Sequence, residues 1–248
     1  MEFILTESEF NEDNTAWNGN RFLMGNGYFG IRGTLEEYTK KQMCAVNMAG
    51  IYDKMGNSWR ESVNAPNPLY TYIKVNGKIY ALPDEKPKFH QQELDFRYGI
   101  HSRVTHWQTE HGNITVVCER FASIARQHNI AMKYTFSVDF DCEAEIITGI
   151  DGDVWDINGP HFVKMKIGSK DGADYVTGMT GEKNISVTVK EYIRTDFQAE
   201  QTNQNTDKSI FRHIKFSAKA EKEYIIEKIA EITTSVDDFG TSGSIDEL

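Results

Sequence analysis

The chain has 248 residues, of which 39% are hydrophobic, and its 27 Lys+Arg against 37 Asp+Glu leave a formal net charge of −10. That length suits one large all-β unit or two average domains, and the composition supports a buried core rather than disorder. The acidity repels phosphate backbones and anionic lipid, making nucleic acid and membrane surfaces poor partners, and no run of about 18 apolar residues offers a membrane span.

From the N-terminus, Phe3-Ile4-Leu5-Thr6-Glu7 turns acidic with no basic region ahead of it. The chain is therefore read as lacking a secretory signal and as cytoplasmic. The three cysteines, Cys44, Cys118 and Cys142, are far apart and form no CxxC, so buried free thiols are expected. Gly25-Asn26-Gly27-Tyr28-Phe29-Gly30 fits G-x-G-x-x-G literally. A dinucleotide site needs that motif to open a helix, and Ile31-Arg32-Gly33 follows with another helix-breaking glycine. The glycines are instead expected where turns or close backbone approach require them.

Thr34 to Pro68 shows no clear period and reads as a long irregular stretch that is functional or packs on a neighbour. Within it, Glu36 and Glu37 on a strand would point to opposite faces and could not share a substrate. Next comes the clearest hairpin, Tyr72 to Val75, Asn76-Gly77, Lys78 to Leu82, which places Ile73 opposite Tyr80.

Ile130, Met132, Tyr134, Phe136, Val138 and Phe140 then alternate with Ala131, Lys133, Thr135, Ser137, Asp139 and Asp141. That period of two gives a strand with one buried face. It recurs in Ile114/Val116/Cys118, Val163/Met165/Ile167 and Ile185/Val187/Val189. It appears again in Ile210/Ile214/Phe216, interrupted by Arg212, and in Ile226/Ala230/Ile232, interrupted by Lys228. Glu110 to Asn113, Asp171-Gly172 and Gly181 to Asn184 read as short links, with no amphipathic helix of βαβ length between strands. The fold class is all-β, a large antiparallel β-sandwich occupying residues 1–248 as one domain. From Thr233 to Leu248 the chain becomes polar and Gly/Ser-bearing, like the start of a connection.

Candidate chemistry is sparse. Asp151-Gly152-Asp153-Val154-Trp155-Asp156 clusters carboxylates but lacks calcium-loop spacing and reads as a hydrogen-bonded turn. Trp155 beside Asp156, Asn158 and His161 offers an aromatic face and hydroxyl-binding groups, the residue types that hold a sugar. The seven histidines show no HExxH or HxH spacing, and no G-x-S-x-G elbow occurs. No catalytic residue, metal ligand or cofactor is assigned from spacing.

The stretch Asn18 to Glu37, with Ala49 to Asp53, Ala65-Pro66-Asn67, Glu93 to Arg97 and Ile147 to His161, resembles the N-terminal domain of glycoside hydrolase family 65. The resemblance covers roughly the whole chain. It implies a supersandwich similar to aldose mutarotases, followed downstream by a helical linker and a catalytic (α/α)6 barrel. Family members cleave α-glucosidic disaccharides with inversion, using inorganic phosphate or water, and hold their catalytic residues in the barrel. The expected role is a non-catalytic domain that supports the barrel, homodimerisation or the disaccharide site. The alternatives are a self-sufficient mutarotase-like epimerase and a carbohydrate-binding module.

Overall fold

Most of the period-two segments become long strands of a nine-stranded antiparallel sheet in a computed structural model that describes residues 3–82 and 84–237. With strands numbered in chain order, this sheet runs β1 (Ile4–Glu7), β8 (Phe89–Asp95), β9 (Ile100–Gln108), β10 (Asn113–Ala122), β11 (Asn129–Val138), then β18 (Glu223–Thr234), β15 (Ser186–Thr195), β14 (Ala173–Thr180) and β13 (Phe162–Lys170). A five-stranded sheet, β16 (Glu200–Asn205), β17 (Ile210–Ala218), β12 (Cys142–Ile150), β6 (Thr71–Val75) and β7 (Lys78–Tyr80), lies against it where β12 meets β14 and β15. A four-stranded sheet, β2 (Met24–Gly25), β3 (Phe29–Ile31), β4 (Val46–Asp53) and β5 (Glu61–Asn64), closes the structure beside β10. The single α-helix among the described residues, α1 (Thr15–Arg21), precedes β2.

The core forms where the sheets face each other. Phe136 of β11 stands edge-on to Phe216 of β17 with ring centroids 6.1 Å apart, and Tyr224 of β18 lies 4.7 Å from Phe216. Ile130, Met132, Tyr134, Phe136 and Val138 are all buried, as the alternation requires, and the strand ends before Phe140. The Asn76-Gly77 hairpin pairs Ile73 with Tyr80, and both turn residues take positive φ, 50° and 82°, the geometry a two-residue turn demands. All three cysteines are buried and free. At the sheet edge, β13 keeps its strand but leaves Val163 60% exposed, where the register with β14 shifts between Phe162 and Lys164.

The charged interruptions in two strands make ion pairs, the first partly and the second fully buried. Arg212 of β17 meets Asp174 of β14 at 2.5 Å. Lys228 of β18 meets Glu191 of β15 at 2.9 Å and donates to the carbonyls of Pro68 and Gly149. The first pair links the five-stranded sheet to the nine-stranded one and the second links neighbouring strands of the nine-stranded sheet, so each sets a charge pair into an otherwise apolar face.

Two sequence expectations change. Thr34 to Pro68 is not irregular throughout, because it contains the β4–β5 hairpin; its register shifts between Asn47 and Tyr52, which breaks the alternation that marks a strand. Glu36 and Glu37 lie in a turn, not a strand, and both carboxylates reach Arg103.

The glycine-rich segment works by close packing. Gly33 donates its N–H to Gly19 O at 2.8 Å, and a Cβ there would lie 2.3 Å from Cβ of Phe22. Asn26 donates to the carbonyls of Ser123 and Gln127, and its side-chain oxygen accepts from the N–H groups of Tyr28 and Phe29. The Tyr28 hydroxyl donates to Asp237 Oδ2 at 2.6 Å, tying the residues after β18 to this segment. The polar tail beyond Asp237 lies outside the described residues.

Candidate functional site

Strand β12 ends at Ile150, and the chain then crosses residues 151–161 before β13 begins. Opposite this loop, the β4–β5 hairpin supplies Asp53 from the end of one strand and Glu61 from the start of the other, adjacent across the ladder. Between them sits His161, 1% exposed. Its Nδ1 is 3.1 Å from Asp53 Oδ2 and its Nε2 is 2.6 Å from Glu61 Oε1.

The same Glu61 oxygen accepts the N–H groups of Ile157 and Asn158 at 3.0 and 2.7 Å, so one carboxylate organises the middle of the loop. Asp53 Oδ1 accepts from the N–H of Glu182, adding the β14–β15 link to the same cluster. The Trp155 carbonyl accepts from Asn64 Nδ2, and Asn47 in turn donates to Asn64 Oδ1 at 2.8 Å. The loop is therefore held at both its backbone and its histidine, which fixes the positions of its side chains.

Electrostatics follows from this crowding. Burial opposes a charge on His161, but the hydrogen bond it makes to Glu61, the charge of Asp156, the hydrogen bond to Asp53 and the charge of Glu61 prevail and hold the imidazole above its ordinary value. Burial pushes the Asp156 carboxyl up, reinforced by the charges of Glu61 and Asp53. One ligand atom each from Glu61, Asp156 and His161 lies within 4.8 Å of the others.

The carboxylates that cluster in sequence separate in space. Asp151 exchanges backbone bonds with Asn67 and accepts from Ser209 Oγ at 2.9 Å. Asp153 turns to Lys40 and Lys208 at 2.7 and 2.8 Å. Only Asp156 joins the His161 cluster.

Of the residues singled out for sugar contact, Trp155, Asp156 and Asn158 are partly exposed along the loop. His161 is enclosed with both nitrogens engaged, so in this structure it positions the loop. Sequence reasoning missed Asp53 and Glu61, which lie about a hundred positions upstream of His161. Spacing carries no signal for them. Beside the loop, the hairpin tip presents Tyr52, Met55 and Trp59, each about half exposed, and a cleft of about 320 Å³ lies between Met55, Pro160, Val163 and Glu182.

Comparison with known proteins shows the family. Residues 5–247 match the profile of the glycosyl hydrolase family 65, N-terminal domain. The chain is 39% identical to nigerose phosphorylase of Lachnoclostridium phytofermentans, across 96% of this chain and 34% of that protein. It is 36% identical to 1,2-alpha-glucosylglycerol phosphorylase of Bacillus selenitireducens, across 88% of this chain and 29% of that one. It thus spans about a third of the length of these relatives. A solved structure from the human microbiome, assigned as a kojibiose phosphorylase, shares the fold with a TM-score of 0.84 at 19% identity, over 94% of this chain and 32% of that one.

Proposed function

The chain belongs to glycosyl hydrolase family 65 and forms its N-terminal domain, and from this premise we propose that it serves as the non-catalytic β-sandwich of an enzyme that phosphorolyses an α-glucosidic disaccharide. One observation carries the reading: 39% identity over 96% of the chain to a phosphorylase of which this chain spans only 34%. In this proposal a downstream (α/α)6 barrel holds the catalytic acid and binds inorganic phosphate as co-substrate, and the whole protein works in the cytoplasm as a homodimer.

The contribution of the sandwich would be a rigid edge. His161, Asp53 and Glu61 lock the 151–161 loop, so that Trp155 can offer its ring to the apolar side of a glucosyl unit while Asp156 and Asn158 address hydroxyls. A loop ordered before binding loses less entropy on contact than a mobile one. The buried acids of the core do not compete for this role, because Glu36, Glu37 and Glu191 are engaged by Arg103, Arg120 and Lys228.

The test is to join this chain to the barrel region of its own reading frame and to assay phosphorolysis of nigerose, kojibiose and trehalose. The proposal expects phosphate-dependent release of glucose 1-phosphate from at least one of them. Phosphate-independent hydrolysis alone would replace phosphorolysis with hydrolysis in this account.

A further inference from the structure

We propose that Glu61, Asp156 and His161 form a binding site for one divalent transition-metal cation, with Asp53 orienting the histidine. The site does not rest on the enzymatic reading, although it takes Asp156 as a ligand from the loop assigned there to hydroxyl contact.

The ligand set comes first. Two carboxylates and an imidazole present atoms within 4.8 Å of one another. Small side-chain rotations close such a set on an ion at about 2.0–2.2 Å from each. Mixed imidazole and carboxylate donors with no thiolate suit Zn²⁺ or Mn²⁺, and water can complete the coordination.

The second observation is an orphaned oxygen. Glu61 is 6% exposed; its Oε1 accepts from His161 and two backbone N–H groups, whereas its Oε2 is buried without any hydrogen-bond partner. Buried carboxylate oxygens are nearly always satisfied, and a cation would satisfy this one.

Asp53 supplies the third argument. With Oδ2 3.1 Å from Nδ1, it holds the imidazole so that Nε2 faces Glu61. A carboxylate behind a ligating histidine is the usual outer partner of a metal-bound imidazole. Charge agrees: Asp53, Glu61 and Asp156 can carry three negative charges against one on His161, and the neighbouring Arg60 is already paired with Glu182. Binding would exchange the proton now between Nε2 and Glu61 for the cation. It would fasten the β4–β5 hairpin to the 151–161 loop.

The experiment uses the 248-residue chain, freed of metal with a chelator. It is titrated with Mn²⁺ followed by electron paramagnetic resonance and with Zn²⁺ followed by calorimetry. The proposal expects one saturable equivalent per chain, weakened about 10–100-fold by Asp53→Asn and lost in Asp156→Asn. Glu182→Gln, which leaves the ligand set intact, should keep the stoichiometry. A second measurement needs no variant: bound Mn²⁺ should broaden the His161 imidazole resonances ahead of those of His106 and His213. Absence of a saturable equivalent, undiminished binding by a folded Asp156→Asn, or no selective broadening of His161 would overturn the site and leave a proton or a buried water to balance the cluster.

Discussion

Arg103 and Glu37 form a two-pronged pair sealed from solvent, with Nη1 3.1 Å from Oε1 and Nη2 2.6 Å from Oε2. The Arg103 Nε also faces Glu36 Oε2 at 2.8 Å, and Arg120 holds the other Glu36 oxygen. Removing one partner strands buried charge, which costs more than the pair itself contributes. Arg103→Ala should therefore destabilise the chain by about 3–5 kcal/mol. Arg103→Lys should also be destabilising, because an ammonium lacks the planar fork that serves both acids. Urea unfolding midpoints check both; a neutral Arg103→Ala would show that the network is dispensable.

The same network makes the fold sensitive to acid. Burial, helped by the charge of Arg103, holds His90 down from 6.5 to about 3. Burial works against ionisation of Glu36, but Arg120 and Arg103 override it and take the carboxyl from 4.5 to about 2. Both values lie below those of the unfolded chain, so the unfolded state binds protons first as the pH falls. Stability should be full above about pH 6.5 and decline on acidification, through His90 and the likewise buried His101 first and then through Glu36 below about pH 4.5. Urea titrations across this range should show the decline, and His90→Gln should make its upper part shallower, with His101 supplying the remainder. A stability that is level from pH 6.5 down to 3 would refute this account.

Lys228 and Glu191 invite a double-mutant cycle. Each is about 1% exposed or less at the side chain, and they sit 2.9 Å apart. Lys228→Met alone should cost about 3–5 kcal/mol by leaving Glu191 uncompensated. Adding Glu191→Leu should restore most of that loss, since an apolar pair avoids the desolvation of both charges. Calorimetric melting of the single and double variants reads the coupling directly.

Gly33 tests the packing of the segment from Asn18 to Glu37. A Cβ there would meet Phe22 at both side chain and backbone, within 2.6 Å of the latter. Backbone cannot step aside as a flexible side chain can, so Gly33→Ala should lower stability by about 1–3 kcal/mol or more. Thermal melting is the measurement, and an unchanged midpoint would mean that α1 shifts freely.

These residues also show what the sequence could and could not reveal. Period two was decisive for β11 because every second residue from Ile130 to Val138 is apolar and faces a core. The Asn76-Gly77 turn was legible because positive φ is rare and those two residue types tolerate it. Arg212 and Lys228 looked like breaks in otherwise apolar faces, since a strand pattern does not contain the partner on another strand. The β4–β5 hairpin was hidden by its register shift. Half of the candidate site, Trp155 to His161, was visible as one loop. The other half was not, because Asp53 and Glu61 meet His161 only where the β4–β5 hairpin lies against the 151–161 loop.

The central claim is that this chain is the supporting β-sandwich of a disaccharide phosphorylase, with no phosphorolytic activity of its own. The most direct measurement incubates the purified chain with nigerose, kojibiose or trehalose and inorganic phosphate and quantifies glucose 1-phosphate. The account predicts no release above the protein-free blank for any of the sugars. Release that scales with protein concentration and survives repeated purification would contradict it.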